Sequence, residues 1–166
     1  MIDKTYLTTM SKYNSWQNRS LYTAASTLPD EARREQRGAF FGSIHATLNH
    51  LLWADRAWLP RFTSQPLIGI SSKDGLSMYH DFDDLKRERL ETDTAIESWA
   101  RDLDPQWLEG DLVWFSGLLN REVSMSKKHL VMHFFNHETH HRGQVHAMLT
   151  MAGAKPEDTD LMLLKI

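Results

Sequence analysis

The chain of 166 residues contains no cysteine. That one absence removes a disulfide framework, a thiolate metal site and a cysteine nucleophile together. Any thiol chemistry must therefore bring its thiol as a small molecule. Positive charge is also in short supply: 19 Lys and Arg stand against 22 Asp and Glu, a formal net charge of −3. A nucleic-acid backbone or an acidic membrane calls for a basic surface, so neither is expected as the main partner. No apolar run approaches membrane-spanning length, and the opening Met1-Ile2-Asp3-Lys4-Thr5-Tyr6 lacks a basic segment leading into an apolar core. A soluble cytoplasmic protein is expected. Internal repeats and low-complexity segments are missing too. With 41% hydrophobic and 25% charged residues, the chain has the balance of one globular domain with a real core, spanning 1–166.

What is present in quantity is histidine, nine residues of it. With thiolates excluded, imidazoles and carboxylates are the strong ligands left, a donor set suited to zinc, nickel, iron or manganese and not to an iron–sulfur cluster. The histidines concentrate in His137-Glu138-Thr139-His140-His141-Arg142-Gly143-Gln144. On a helix, residues four apart lie one turn above each other, so His137 and His141 can aim ring nitrogens at one ion. Leu130, Phe134, His137, His141, Val145 and Met148 recur at spacings of three and four, the period of a buried stripe. A pair of hydrogen-bonded core histidines is the plain alternative. A shared metal satisfies one nitrogen on each ring at once.

The same letters spell H-E-x-x-H, the zinc-protease pattern. The longer protease form wants Gly three and His six residues after the second His, but Gln144 and Ala147 stand there. No strand-rich substrate edge is evident either, and the protease reading is rejected. Glu138 points away from the apolar stripe and reads as solvated. Arg142, His140 and His146 also point elsewhere, toward a surface or an interface.

Helical spacing of Tyr6, Met10, Tyr13, Trp16 and Leu21 predicts a first helix from Ile2 to about Leu28, ended by Pro29 and Asp30. Residues 30–42 are charged and then Gly-containing, and read as a connector. Ser43 is a good helix cap for a second helix over about 43–62. Residues 63–77 are rich in Ser, Gly, Pro and Lys, the chemistry of a long crossover. A third helix follows from Met78 to Leu103, with the charge run Asp83 to Glu91 on its outer face. Residues 107–125 resemble a small hairpin around Ser116-Gly117. A fourth helix runs from Ser124 or Ser126 to about Ala152, with Gly153 as its stop, and the apolar tail Asp160 to Leu164 is expected to pack. The fold class is all-α: a four-helix bundle with a long crossover between helices two and three and a hairpin before helix four.

In such a bundle metal ligands project inward from facing helices. His50, about two turns into helix two, is the candidate third ligand, and its rival is His45, rotated away by more than a quarter-turn. Three imidazoles capping one face would leave the other positions of the ion open. Gln144 lies where its amide could orient a ring or a bound water, or could merely be a polar residue at a helix seam. His133 continues the series 129, 133, 137, 141, but a straight helix drifts about 40° per step, so the pair on the stripe is preferred. Trp16 or Trp53 is placed to wall a pocket beside the ion.

Ser43-Ile44 through Leu48-Asn49-His50-Leu51, with Asp55 and Trp58, and Asn136-His137-Glu138-Thr139-His140-His141-Arg142-Gly143-Gln144 resemble the two signature regions of DinB-like proteins, the DinB/YfiT-like metalloenzyme superfamily. Tyr13-Asn14-Ser15-Trp16 fits the first-helix pattern of that family. The resemblance implies a four-helix bundle, a divalent metal such as nickel or zinc, and ligands matching His50, His137 and His141, which decides for His50 over His45. It also implies a homodimer and, in characterised relatives, thiol-dependent transferases and isomerases that use bacillithiol, mycothiol or glutathione. It implies no polymerase activity.

The leading expectation is thus a divalent-metal-dependent enzyme acting on a small-molecule substrate, with a low-molecular-weight thiol as cosubstrate in a transferase reaction. The alternatives are a metal-dependent hydrolase and a non-catalytic metal-binding bundle serving as sensor or interaction module. No general acid or base is assigned: Glu138 faces the wrong way, and Asp55 lies off the face of His50.

Overall fold

A computed structural model describes residues 2–117 and 119–165. The protein is mostly helical, with a small antiparallel hairpin. In chain order its elements are α1 (Lys4–Ser26), α2 (Asp30–Arg34), α3 (Ile44–Thr63), α4 (Phe82–Asp102), β1 (Asp111–Ser116), β2 (Arg121–Ser126) and α5 (Lys127–Met151). Each of the four long helices packs against two others: α1 against α4 and α5, α3 against α4 and α5.

The ends are set by side chains that satisfy the first free N–H groups of each helix. Asp3 accepts from Tyr6 N, Ser43 from Ala46 N, and Asp81 from both Asp83 N and Asp84 N. The acidic first turn of α4 and Arg101 in its last turn also complement the helix dipole. Ser126 makes no such capping bond. There β2 runs straight into α5, and the Lys127 N–H donates to Gly110 O at 3.1 Å.

Four long helices, a long connection between the second and third, and the hairpin all occur, but the third helix starts at Phe82 and not at Met78, because Asp81 caps it and Asn49 holds the Tyr79 backbone outside it. The connector 30–42 holds the short helix α2 and a bridge between Ala39 and Gly42, and the crossover holds a 3-10 turn at Asp74–Ser77. One expectation is corrected in part. In the tail, residues 157–159 dock on α1, where Tyr13 Oη donates to Thr159 O and Gln17 Nε2 to Asp158 O, but Leu161, Met162 and Leu163 remain exposed.

The core divides into two apolar clusters. One contains Leu21, Ile44, Leu48, Leu52, Leu85, Val145 and Met148, and the other Leu7, Phe62, Ile96, Trp99, Leu130, Phe134 and Phe135. Along every long helix, buried polar residues fall between the two: Asn14 and Asn18 on α1, Asp55 on α3, Arg89 and Asp93 on α4, Glu138 and Arg142 on α5. This layer is built on Arg89, whose Nη1 lies 2.7 Å from Asp55 and Nη2 2.9 Å from Asp93. Asn18 Nδ2 donates to Asp93 at 2.9 Å, and Arg142 donates to Asn14. Charged groups out of water persist only when paired, so the layer holds the four helices in one register. It also fixes the height at which the histidines meet.

Candidate metal centre

His50 comes from the middle of α3, His137 and His141 from the middle of α5. One ligand atom from each lies within 4.8 Å of the others. The closest approach is His50 Nε2 to His137 Nε2 at 3.1 Å, and the His137 and His141 ring centroids are 4.6 Å apart. Nitrogens around a tetrahedral zinc, with bonds of about 2.0–2.1 Å, sit roughly 3.3 Å from one another. The His50–His137 approach is close to that spacing.

Protonation suits the same chemistry. Burial, then the neighbouring rings of His137 and His141, push His50 down to about 3. Burial also lowers His137, against a pull upward from Asp55, and lowers His141, against its bond to Gln144. All three imidazoles are therefore neutral near pH 7, the form that binds a cation. His141 Nδ1 lies 2.8 Å from Gln144 Oε1. An amide oxygen only accepts, so Nδ1 carries the proton and Nε2 is left bare for the cluster. Gln144 thus orients a ring. His50 Nδ1 is buried with no hydrogen-bond partner. The donor set fits a divalent ion.

His45, the rival, is committed elsewhere: its Nε2 meets Tyr79 O at 3.0 Å. Asn49 clamps the same residue, donating to Tyr79 O and accepting from Tyr79 N. His133 is exposed, 5.7 Å from the His137 ring and 5.5 Å from Trp58. His140 is exposed beside Gln144.

Two aromatic rings border the cluster. Phe41 lies with its centroid 3.9 Å from that of His50 and 5.0 Å from that of His141, and Trp53 lies 5.7 Å from His50. Each depends on a glycine. At Gly42, φ is +81°, a conformation that other residues resist, and the Gly42 N–H returns to Ala39 O at 2.8 Å, tightening the bend that carries Phe41. Gly75 packs its bare α-carbon on the Trp53 indole, where a β-carbon would collide, and Trp53 Nε1 donates to Ile70 O at 2.9 Å. Trp16 is not at the cluster. Its Nε1 donates to Glu157 at 3.0 Å. Phe41 was missed by sequence reasoning because it stands in a charged, Gly-containing stretch with no apolar period. Its only signal was a Phe-Phe-Gly-Ser run leading into a helix cap.

Glu138 and Arg142 correct the sequence expectation more sharply, for neither is solvated or at an interface: both are buried, Glu138 at 1% and Arg142 at 4% exposure. Helix α5 packs against α3 and α1 at once, so it has two inward faces. The first carries the histidines, and the second carries Glu138, Arg142 and Leu149. Burial pushes Glu138 up to about 7, although Arg142 and Arg89 pull it down. Asp55 is raised well above the ordinary carboxylate range by burial and then by Glu138.

No helix among the described residues is long and apolar enough to cross a membrane. In comparison with known proteins, residues 1–165 match the DinB family. Protein DinB of Bacillus subtilis (strain 168) is 26% identical over 165 residues, covering 90% of this chain and 87% of that protein.

Proposed function

From the premise that this chain belongs to the DinB family, we propose that it is a divalent-metal-dependent enzyme whose ion is held by His50, His137 and His141. The observation that carries this reading is the convergence of three neutral ring nitrogens, from two facing helices, within 4.8 Å of one another. Nickel or zinc is the proposed metal, with iron or manganese as alternatives. Such an ion supplies a Lewis acid that makes a thiol or a water more acidic.

The chain's own residues do the rest. Gln144 fixes the tautomer of His141. Phe41 and Trp53 keep water from two sides of the rings, while the His137 side chain, 23% exposed, leaves a way in from solvent. The finer reading is a transferase that joins a low-molecular-weight thiol to a small electrophile, in a cytoplasmic homodimer. What supports it is the family resemblance together with a chain that has no thiol of its own. The cycle of contacts among α1, α4, α3 and α5 likewise supports reading the four long helices as a four-helix bundle in a single domain.

The test is product analysis of the nickel- or zinc-loaded protein with an electrophile, thiol present or omitted. A transferase gives a thioether adduct only when the thiol is added. A hydrolase gives product without it. The close, tilted packing of Phe41 against His50 and His141 favours a second reading, a non-catalytic metal-binding protein in which the ring seals the ion. Under that reading no product forms, and adding thiol leaves the visible spectrum of the cobalt-substituted protein unchanged.

A further inference from the structure

The buried polar layer touches the histidine cluster at one place. His137 turns Nε2 toward His50 and Nδ1 toward Glu138, whose Oε1 lies 3.8 Å away. A shift of under about 1 Å brings that pair to hydrogen-bond distance. No N–H lies within hydrogen-bond distance of either Glu138 oxygen. A fully buried carboxylate without a donor is costly; of the two nitrogens placed 3.8 Å from it, Arg142 Nη1 already donates to Asn14, which leaves His137 Nδ1. The layer also carries a surplus of acid. Asp55, Asp93 and Glu138 are three carboxyl groups, and Arg89 and Arg142 are two guanidinium groups.

We infer that Glu138 is a positioning residue for His137: its oxygen accepts the Nδ1–H and so holds the tautomer whose bare Nε2 faces His50 and His141. This inference rests on the reading of the three histidines as a metal centre. It accounts for the metal-free contact as well. If His137 Nε2 is bare, the 3.1 Å approach of His50 Nε2 is an N–H donated to it. His50 Nδ1 is then a bare acceptor, for which a missing partner costs less than it would for an N–H. The carboxylate in turn is held by Arg142, 3.8 Å from Oε2, which is fixed by its bonds to Asn14 and Thr139. Carboxylate–imidazole–metal relays of this kind orient the ring and raise its basicity.

The test compares zinc affinity, by competition with a chromophoric chelator, between wild type and Glu138→Gln, alongside the thermal stability of both metal-free proteins. The inference expects a loss of about 10–100-fold in affinity for the folded variant. A change in thermal stability with zinc affinity unaltered would mean that Glu138 only packs, and would overturn it. Should the variant not fold, ¹⁵N-histidine NMR of metal-free wild type decides. His137 as the Nδ1–H tautomer is expected, and Nε2–H refutes the inference. Wild type that takes up no zinc would defeat the metal-centre reading instead, and the NMR result would still stand or fall by itself.

Discussion

His50 on α3 and His137 on α5, 87 positions apart in the chain, face each other through their Nε2 atoms at 3.1 Å. Two ring nitrogens at that distance cannot both be bare without repulsion or both be protonated without a clash, so either one proton or one cation lies between them. Arg89 anchors the polar layer that sets this approach, because it ties Asp55 on α3 to Asp93 on α4. The expectations below follow from these two arrangements.

Removing Arg89 leaves two buried carboxylates without their counter-charge. Arg89→Ala is expected to cost about 3–5 kcal/mol, read from urea denaturation. Arg87→Ala removes a surface side chain paired with Asp84 and Glu88 and is expected to change stability by about 0.5 kcal/mol or less. Equal effects of the two would mean that the layer does not hold the helices together.

Phe41 touches the cluster without offering a ligand. Phe41→Ala is expected to cost about 1–2 kcal/mol from lost apolar burial and ring contact, and to speed extraction of bound metal by a chelator. An unchanged extraction rate would show that the ring does not cover the site.

Acid should weaken the metal-free protein through His50. Its folded pKa of about 3 lies below the ordinary histidine value of about 6.5, so between those values the unfolded chain binds the extra proton. The contribution of His50 is complete above pH 6.5 and lost as pH falls toward 3. Glu138, raised in the folded state, acts in the opposite sense. The His50 share is therefore read as a difference: from pH 7 to 5, wild type should lose more thermal stability than His50→Gln, each measured in chelator. Parallel curves for the two proteins would contradict this.

The parts of this molecule governed by local rules were legible in its sequence. The spacing of His137 and His141, the Ser43 cap and the Ser116-Gly117 turn all depend on residues within a few positions of each other, and helix order followed from apolar period. What was hidden depends on distant partners. Glu138 and Arg142 look like surface or interface residues because nothing near them reveals that Asn14 on α1 accepts from Arg142 and that Arg89 on α4 joins Arg142 in offsetting the Glu138 charge. Phe41 was hidden for a similar reason: its neighbours in space, His50 and His141, are supplied by two other elements, and a bend at Gly42 delivers it there.

Metal content tests the central claim most directly. The protein, purified and loaded with zinc or nickel, is expected to hold one ion per chain by elemental analysis. His50→Ala and His141→Ala should each lose it. His45→Ala, which loses a bond to Tyr79 O and a buried ring near Phe82 but no part of the cluster, should keep the ion at a cost of about 2 kcal/mol or more in stability. Stoichiometric metal surviving in both His50→Ala and His141→Ala would contradict the account.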